Sequence, residues 1–209
     1  GRHKKILQTA ERLFHRKGYV ATTVGDIAAK AELSPGTVQN YFGSKGAILV
    51  ALIDRYDVEF IERQTERLNT IGNSPAEDVI RLLVAIVQDA LDRLPAEAWV
   101  HALSNSILEV GGEVEKGYAD LNSRLYDLLY VPLRRHKEAG NLPDRFDVEA
   151  AREMLELINH AMFEQRIGTV PFDMKDYRVR LRSFVDLIVP AKRSVKTKKA
   201  NTQQSPTRK

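Results

Sequence analysis

Two adjacent amide side chains, Gln39 and Asn40, have the chemistry needed to recognise a nucleic-acid base. A side-chain amide places a donor beside an acceptor, and this pair matches the N6 and N7 atoms at the edge of adenine. Both residues lie in the segment 35–42, which begins with proline directly after Ser34. A serine hydroxyl can accept from a free backbone N–H, and proline at the first helical position has no N–H to leave unpaired. The segment is therefore predicted to be a short helix that carries the two amides.

Within this predicted helix, Val38 and Phe42 are four residues apart and share the face that turns inward. The other residues are left on the outward face, where proline or threonine can contact a thymine methyl and glycine allows close approach of the backbone. Plain solvent exposure on a short helix is the alternative for each of them. The outward-facing residues are Pro35, Gly36, Thr37, Gln39, Asn40 and Tyr41.

Further capping signals mark the elements that position this helix. Thr23 with Asp26 three residues later forms a capping box. Gly43 is placed to end the helix 35–42, and Ser44 can cap the helix after it. Two helices of two turns joined by a tight turn usually lay the second helix in the major groove of DNA. An earlier helix, which Gly18 ends, contributes the apolar stripe Ile6, Leu7, Ala10, Leu13 and Phe14.

Positive charge is concentrated at the two ends of the chain, which has 209 residues and a formal net charge of +4. Residues 1–50 contain 8 Lys or Arg against 3 Asp or Glu. Residues 191–209 contain 7 against none, and the residues between contain 17 against 25. A basic N-terminal segment on an acidic remainder suits a polyanion-binding end. Residues 191–209 have almost no apolar content and are predicted to be a disordered basic tail.

Helical periodicity continues through the rest of the chain, with no alternating strand pattern and no repeat. A long helix is predicted from Ser44 to about Asn69. We therefore predict an all-α protein of about nine helices, with an N-terminal three-helix domain at residues 1–46 and a larger helical domain at 47–190. The remaining predicted helices cover 74–94, 96–110, 114–139, 147–167 and 173–190.

Composition excludes several classes of protein. No apolar run reaches the length of a membrane span, so we expect no membrane segment. The basic N-terminus lacks the apolar stretch of a secretory signal. The chain has no cysteine, which excludes disulfides and thiolate chemistry and fits a cytoplasmic protein.

Two pairs of residues at helical spacing have the side chains of metal ligands, Glu97 with His101 and His160 with Glu164. Such pairs also arise routinely as surface hydrogen bonds or ion pairs. No third ligand has a convincing spacing, and neither a Ser-His-Asp arrangement nor a glycine-rich phosphate loop is evident. We therefore predict no catalytic site, no metal and no cofactor, and a protein that is not an enzyme.

The N-terminal fifty residues resemble the DNA-binding domain of the TetR family of transcriptional regulators. Two positions differ from the commonest pattern. Glu32 stands where a glycine often makes the turn, so a left-handed backbone there carries a modest free-energy cost. Gln39 replaces a frequent aromatic residue. The resemblance is carried by Thr22-Thr23-Val24, Asp26-Ile27-Ala28, Leu33-Ser34, Gly36-Thr37-Val38, Tyr41-Phe42 and Ser44-Lys45.

The resemblance implies a homodimer that binds a palindromic double-stranded DNA operator with two helix-turn-helix heads. It also implies phosphate contacts by Tyr41 and Lys45, and by Thr23 with the amides that begin its helix. Together with the outward face of the helix 35–42, these residues form the predicted DNA-binding set. The basic residues Arg2, His3, Lys4 and Lys5 are either an arm that adds DNA contacts or a floppy N-terminus.

The resemblance further assigns the dimer interface to the last two helices, although the same apolar stripes would arise in the core of a monomer. The predicted interface residues are Leu155, Ile158, Met162, Leu181, Phe184, Val185 and Ile188.

A pocket for a small-molecule effector is expected among helices five to eight, with a mostly apolar lining that suits a hydrophobic or aromatic ligand. An ordinary role in the core is the alternative for each aromatic candidate. The candidates are Trp99, His101, Leu103, Asn105, Tyr126, Tyr130, Asn159, His160 and Phe163.

These observations predict a ligand-responsive dimeric transcriptional regulator, a repressor released from its operator by a small molecule. The alternative is a DNA-bound structural or interaction protein whose helical core binds a protein partner. A collapsed cavity in the core would favour that alternative. A helical enzyme or carrier that happens to contain a helix-turn-helix is a third hypothesis, which the charge distribution disfavours.

Overall fold

The computed structural model describes residues 1–68, 72, 74–108, 123–167 and 172–190, without the side chains of 105–108. Within these ranges the fold is all-α, as predicted, and contains no strand. Residues 123–126 are helical and lead through the 3-10 turn Asp127–Leu129 into the seventh helix. The α-helices are α1 (Arg2–Lys17), α2 (Val24–Ala31), α3 (Pro35–Phe42), α4 (Lys45–Arg67), α5 (Pro75–Arg93), α6 (Ala96–Leu108), α7 (Tyr130–Glu138), α8 (Val148–Ile167) and α9 (Met174–Ile188).

Most of the predicted helix boundaries are confirmed to within a few residues. The predicted helix over 114–139 is wrong in its described part, because the 3-10 turn at Asp127–Leu129 interrupts it. Pro132 gives the physical reason, since it has no N–H to donate to the carbonyl of Leu128 and is tolerated only in the first turn of a helix. The predicted tail 191–209 lies outside the described residues.

The basic N-terminus is not a floppy arm, because α1 already begins at Arg2. The side chains of its first turn contact the neighbouring helices. The His3 ring lies 4.7 Å from the Phe42 ring of α3, and Lys5 Nζ is 2.8 Å from the Glu32 carboxylate at the end of α2. The basic residues Arg2 to Lys5 therefore extend α1 alongside the helix-turn-helix.

Helices α1 to α3 form a small bundle on the first turns of α4. The bundle encloses side chains that are withdrawn completely from water, including Ile6, Phe14, Ile27, Val38 and Ile48. Gly18 ends α1 with a φ of 87°, and a Cβ at this position would lie 2.5 Å from the Glu97 carboxylate of α6. Glycine is therefore needed here both for the turn and for the close approach of α6.

Helix α4 joins the N-terminal bundle to the rest of the chain, because it also packs against α5 and α6. At the far end α9 packs against α5 and α8, while α8 also contacts α6 and α7. The core of this larger bundle is continuous with the core of the N-terminal one. The two parts are thus held by one long helix and a shared set of apolar contacts.

A buried polar cluster fixes α5 against α7. The His136 ring is fully buried, and its Nε2 lies 2.8 Å from the Asp78 carboxylate. The Asn141 amide lies 3.0 Å from Nδ1 of the same ring. If the Asn141 amide donates to Nδ1, the remaining ring N–H is on Nε2 and donates to Asp78, so both ring nitrogens are satisfied. Such pairing is what permits polar groups in an apolar core.

Candidate functional site

Helix α3 presents a polar outer face and an apolar inner face, as its spacing predicts. Val38 is fully buried and Phe42 is half-buried, whereas Gln39 and Asn40 are exposed and Tyr41 is 46% exposed. The orientation of the helix is set by its contacts with α2 and α4. Its outward amides are therefore free to meet a ligand that lies along this face.

The start of α3 is held by the predicted serine cap. The Ser34 hydroxyl accepts from the backbone N–H of Thr37 at 3.0 Å, and proline follows at the first helical position. The Thr37 hydroxyl lies 2.8 Å from the same serine oxygen, and its residue is half-buried. Thr37 thus supports the cap as well as belonging to the predicted DNA-binding set.

The turn between α2 and α3 has a left-handed backbone at Glu32, the position where related sequences often have glycine. Glu32 has a φ of 55° and a ψ of 44°, and its N–H is directed to the carbonyls of Ala28 and Ala29. Among the described residues other than glycine it is the one with positive φ. The Lys5 ammonium lowers the pKa of the Glu32 carboxyl by a hydrogen bond and by its charge.

The capping box at the start of α2 is present with both of its bonds. The Thr23 hydroxyl accepts from the Asp26 N–H at 3.0 Å, and the Asp26 carboxylate accepts from the Thr23 N–H at 2.8 Å. Lys17 at the end of α1 also donates to Asp26 at 2.9 Å. The bond from Lys17 and those from Thr23 hold the pKa of Asp26 far below its usual range. The bond from Lys17 ties the end of α1 to the start of α2, and the capping box satisfies backbone groups at that start.

Lys45 cross-links the backbone between α1 and α2. Its ammonium donates to the carbonyls of Tyr19 at 2.8 Å, Val20 at 3.3 Å and Thr22 at 2.8 Å, and lies 4.3 Å from the centre of the Tyr19 ring. Burial lowers the pKa of this ammonium, and the charge of Glu97 opposes that effect. Because an ammonium has three N–H groups, a phosphate contact by Lys45 has to replace one of these bonds. That contact stays a prediction.

A cavity lies in the larger bundle, between α4, α5, α6, α8 and residues 123–126. It contains about 50 Å³ of water-accessible space. Four of the predicted ligand contacts, Trp99, Tyr126, His160 and Phe163, line it. The other lining residues are Ile53, Tyr56, Asp57, Phe60, Ile86, Val87, Asp89, Ala90, Arg93 and Leu125.

The remaining predicted ligand contacts lie elsewhere. His101 faces the N-terminal bundle, where its ring lies 5.1 Å from the Tyr19 ring. Tyr130 is at the surface, where its hydroxyl donates to Glu149. Leu103 is buried but is not part of the lining, and the side chain of Asn105 lies outside the described residues. These helical positions share the amphipathic pattern of the true lining, so periodicity alone could not separate them.

Asn159 lies behind the cavity wall at the centre of a buried network. Its side chain has no exposed surface, and its amide N–H donates to the Tyr126 hydroxyl at 2.8 Å. Its carbonyl oxygen accepts from the Tyr177 hydroxyl of α9 at 2.6 Å. The chain Tyr126–Asn159–Tyr177 therefore connects the cavity wall to the last helix.

Asp57 is a lining residue whose carboxyl lies in a strongly perturbed environment. Burial raises the pKa of Asp57 to about 7, and although Arg124 opposes this effect, Asp54 and Asp89 add to it. The sequence predicted the long helix that carries Asp57 but did not single out this residue. The available signal was an acidic residue directly beside Tyr56, an aromatic residue of the same helix.

Two cavity residues also contact α1 of the N-terminal bundle. The Tyr56 hydroxyl donates to the Glu11 carboxylate at 2.6 Å, and Arg55 donates to the other oxygen of that carboxylate at 2.7 Å. Burial acts to raise the pKa of Glu11, but the bonds from Tyr56 and Arg55 bring it below its usual value. The backbone carbonyl of Arg93 accepts from His15 Nε2 at 2.9 Å.

The two possible metal-binding pairs have other roles. Glu97 accepts from the backbone N–H of Tyr19, so it fastens α6 to the end of α1. His160 Nε2 lies 3.4 Å from the Glu164 carboxylate on the same helix. In the described part of the chain, no three His, Cys, Asp or Glu residues are grouped to hold a metal ion.

Several predicted dimer-interface side chains belong to the core of the chain itself. Leu155, Leu181 and Val185 are fully buried and Met162 is nearly so, because α8 and α9 turn their regular apolar stripes toward α5 and α6. The other predicted side chains lie at the surface: Phe184 is exposed, and Ile158 and Ile188 are half-buried. The apolar residues exposed on the outer faces of α8 and α9 are Met154, Leu157, Val179, Phe184 and Leu187.

None of the helices in the described ranges combines the length and the apolar character needed to cross a bilayer.

The N-terminal bundle and the whole fold match known regulators. Residues 6–52 match the family model described as bacterial regulatory proteins, tetR family. The chain is 29% identical over 116 residues to the HTH-type transcriptional repressor KstR of Mycolicibacterium smegmatis, covering 54% of this chain and 56% of that protein. The chain spans between 31% and 56% of the length of the first curated relatives it matches.

Two solved structures share the fold over nearly the full length. A transcriptional regulator of Saccharomonospora viridis in complex with choline is 24% identical with a TM-score of 0.67, covering 91% of this chain and 98% of that one. The regulator FadR of Bacillus subtilis in complex with stearoyl-CoA is 19% identical with a TM-score of 0.60, covering 87% and 96%. The capped helix-turn-helix and its family model show that residues 6–52 form the DNA-binding domain of the bacterial regulatory proteins of the tetR family, and the rest of the chain shares the fold of the two solved regulators.

Proposed function

We propose that this chain is a dimeric repressor of transcription that a small molecule releases from its operator. The observation that carries the proposal is the position of Tyr56, which lines the cavity and bonds to Glu11 in the N-terminal bundle. A molecule in the cavity can therefore act on the helices that hold α3. The small volume of the cavity, about 50 Å³, is in line with the alternative of a core that binds a protein partner, and the bond from its wall to α1 is what favours the ligand-responsive protein.

The relatives support both halves of the proposal. KstR is named a transcriptional repressor, and the two structural neighbours have small molecules bound, choline in one and stearoyl-CoA in the other. We infer a small-molecule effector for this chain as well, and a role as a regulator rather than an enzyme. A repressor that acts on chromosomal DNA in bacteria works in the cytoplasm, so we propose that location.

The release mechanism follows from the size of the cavity and from its wall. The water-accessible space of about 50 Å³ is far below that of a typical site for a drug-sized ligand, so a ligand has to displace wall side chains. Movement of Tyr56 breaks its bond to Glu11, and movement of Arg93 shifts the carbonyl that His15 contacts. Both changes loosen α1, against which α2 packs, and α2 in turn packs against the recognition helix α3.

On the DNA side, we propose that Gln39 and Asn40 read base edges in the major groove, because both are exposed on α3. Pro35, Gly36 and Thr37 lie at the start of the same helix. The proposed phosphate contacts come from Tyr41, from Thr23 with the free amides of α2, and from Lys45 after it gives up a carbonyl.

A mobility-shift experiment with DNA from the region upstream of the protein's own gene tests this proposal. We expect a salt-dependent complex with one palindromic site. Gln39→Ala and Asn40→Ala should each weaken it by about tenfold or more. Gln88→Ala, which removes an exposed amide of α5, should leave binding unchanged. Equal binding to random DNA would contradict the proposal.

We further propose that the dimer forms through the exposed apolar faces of α8 and α9. Leu157 is 69% exposed and Leu187 is 82% exposed, which is unusual for two leucines on neighbouring helices unless a second copy covers them. Two such faces related by a twofold axis make a four-helix contact.

Sedimentation equilibrium tests the dimer. Leu187→Glu should shift the protein toward the monomer, whereas Val58→Glu, an exposed apolar position on α4, should not. A chain that is monomeric before any substitution would contradict this part of the proposal. The division into a DNA-binding domain at 1–46 and a ligand-binding and dimerisation domain at 47–190 stays a prediction, since α4 packs against both parts.

A further inference from the structure

The cavity contains one acidic side chain that the protein leaves without a counter-charge. Asp57 has no hydrogen bond or ion pair with any of the residues that the structure describes. Arg124, the cation whose charge acts on it, is itself bonded to Asp54 at 2.6 Å. Asp57 is half-buried, and a carboxylate that is partly withdrawn from water without a partner is unfavourable, because its lost hydration is not replaced.

The other charged groups of the lining are paired. Asp89 accepts from Arg63 at 2.5 Å and lies 3.7 Å from Arg93. Arg93 in turn donates to Glu59 at 2.9 Å. His160 lies beside Glu164. The unbalanced charge in the cavity is therefore negative and belongs to Asp57.

Aromatic rings form much of the remaining wall. Trp99 and Phe163 meet edge to face, with ring centres 5.7 Å apart. The indole N–H of Trp99 already donates to the Ala90 carbonyl at 2.8 Å, so this side chain offers the cavity an apolar ring and no free donor. Tyr56, Phe60 and Tyr126 complete the set of five aromatic lining residues. The guanidinium groups of Arg55 and Arg93 already lie 4.9 Å and 5.1 Å from the centre of the Tyr56 ring, and that of Arg63 lies 5.9 Å from the centre of the Phe60 ring. The faces of aromatic rings attract cations, most strongly where water is excluded, so Trp99, Phe163 and Tyr126 are the rings that a bound cation would meet.

We propose that the cavity binds an organic cation with apolar substituents, such as an amine or a quaternary ammonium group, with Asp57 as its counter-charge. This proposal rests on the proposed function, since it names the class of the effector. An acyl chain ending in an anionic group does not suit the cavity, because its charge would meet Asp57. A neutral apolar ligand would fill the aromatic part and leave the carboxyl without a partner.

The proposal also predicts how binding depends on pH. A cation favours the ionised form of Asp57, so binding should weaken as the carboxyl becomes protonated. The charged and titratable groups that surround Asp57 are Asp54 of α4, Asp89 and Arg93 of α5, Arg124 and Tyr126 of residues 123–126, and His160 of α8.

Calorimetry with a matched pair of probes tests the proposal on the full chain. Choline carries a trimethylammonium group, and 3,3-dimethylbutan-1-ol replaces its nitrogen with carbon and has no charge. At about pH 8 we expect choline to bind at least about tenfold more tightly than the neutral probe. Its affinity should fall at about pH 6. Lauroyl-CoA should bind no better than the neutral probe.

Two variants assign the preference to Asp57. Asp57→Asn keeps the shape of the side chain but removes its charge, and should abolish the preference for choline and most of the pH dependence. Asp92→Asn, an exposed position on α5 outside the cavity, should retain both. Equal binding of the two probes, or a preference that survives in Asp57→Asn, would overturn the proposal. The melting temperature of each variant shows that it is folded.

Operator binding is measured in a separate experiment, so that the proposal of a cationic ligand and the proposal of release from the operator can fail independently. If choline binds through Asp57 but leaves a specific operator complex intact, the ligand class stands and the release mechanism is wrong. If lauroyl-CoA dissolves the operator complex and choline does not, release by a small molecule stands and the cation proposal is wrong.

Discussion

The N-terminal bundle and the cavity handle their charged groups in opposite ways. In the bundle, Asp26 accepts hydrogen bonds from Thr23 and Lys17. The Lys45 ammonium donates to backbone carbonyls of the loop between α1 and α2. In the cavity, Asp57 has no such partner among the described residues. The charged groups of the bundle are therefore satisfied within the chain, so its shape does not depend on a ligand. A surface that reads DNA is expected to have this property. The cavity, in contrast, keeps the unpaired carboxyl of Asp57, whose negative charge the proposed cation would neutralise.

The largest expected effect comes from removing the polar network behind the cavity. Asn159→Ala leaves the hydroxyls of Tyr126 and Tyr177 without their buried partner and creates a small void. We expect the free energy of unfolding to fall by about 3 to 4 kcal/mol. Urea denaturation measures this change.

A double-mutant cycle separates the free energy contributed by the hydrogen bonds from the free-energy cost of the void. In a Tyr177→Phe background, the same Asn159→Ala change should cost measurably less, because one of the two bonds is already absent. Identical costs in both backgrounds would show that the network contributes nothing beyond packing.

The second effect is a gain in stability at the cavity. Between about pH 4 and about pH 7 the folded chain keeps the proton of Asp57 while the unfolded chain has lost it, so stability falls as pH rises through this range. Asp57→Asn removes that loss and should raise the free energy of unfolding by about 2 to 4 kcal/mol at about pH 8. The gain should be small at about pH 4.

Thermal or urea unfolding at several pH values measures the effect. Asp92→Asn, which is exposed on α5, is the matched control, and its stability should stay close to that of the unchanged protein at each of these pH values. If Asp57→Asn destabilises the protein at about pH 8, then its carboxylate is satisfied in solution and the contrast between bundle and cavity is lost.

The third change targets the contact between the two regions. Tyr56→Phe removes the hydroxyl that donates to the Glu11 carboxylate at 2.6 Å. We expect a loss of about 1.5 to 2 kcal/mol, because the bond is made to a charged acceptor. Tyr41→Phe is the control, since that ring is exposed on α3 and its loss should be near zero. Equal losses would mean that Tyr56 does not couple the regions.

The same contrast between the bundle and the cavity explains which features of the structure could be predicted from the sequence. The bundle was predictable because its determinants are local: Thr23 with Asp26, Ser34 with Pro35, and Gly43 are signals that act within a few residues. The resemblance pointed to Glu32 as the position where a left-handed backbone would be costly, and the structure has that backbone there. These features are fixed by backbone hydrogen bonding and do not depend on distant parts of the chain.

The cavity was only partly predictable, because its lining comes from helices that are distant in sequence. Trp99 and His101 are two residues apart on α6, yet Trp99 lines the cavity and His101 faces Tyr19. The regular stripe that marks Leu181 and Val185 as apolar cannot say whether they face the core or a second copy. Such questions depend on how each helix is rotated, which tertiary packing decides.

The fourth change tests the local character of the bundle. Ser34→Ala removes the hydroxyl that accepts from the Thr37 N–H and should cost about 1 kcal/mol of unfolding free energy. Ser183→Ala, at an exposed position within α9, should have no cost or stabilise slightly. Denaturation curves of the two variants give the comparison, and equal effects would show that the cap does not hold α3.

The smallest expected effect is at the turn between α2 and α3. Glu32→Gly removes the strain of a non-glycine residue at a φ of 55°, while its exposed ion pair with Lys5 adds little stability. Glycine also has more freedom to lose on folding, so the net gain should be only about 1 to 3 °C in melting temperature. Ala29→Gly, in the regular part of α2, should lower the melting temperature instead. If both glycines lower it equally, then Glu32 carries no strain and the turn is held by more than its backbone bonds to Ala28 and Ala29.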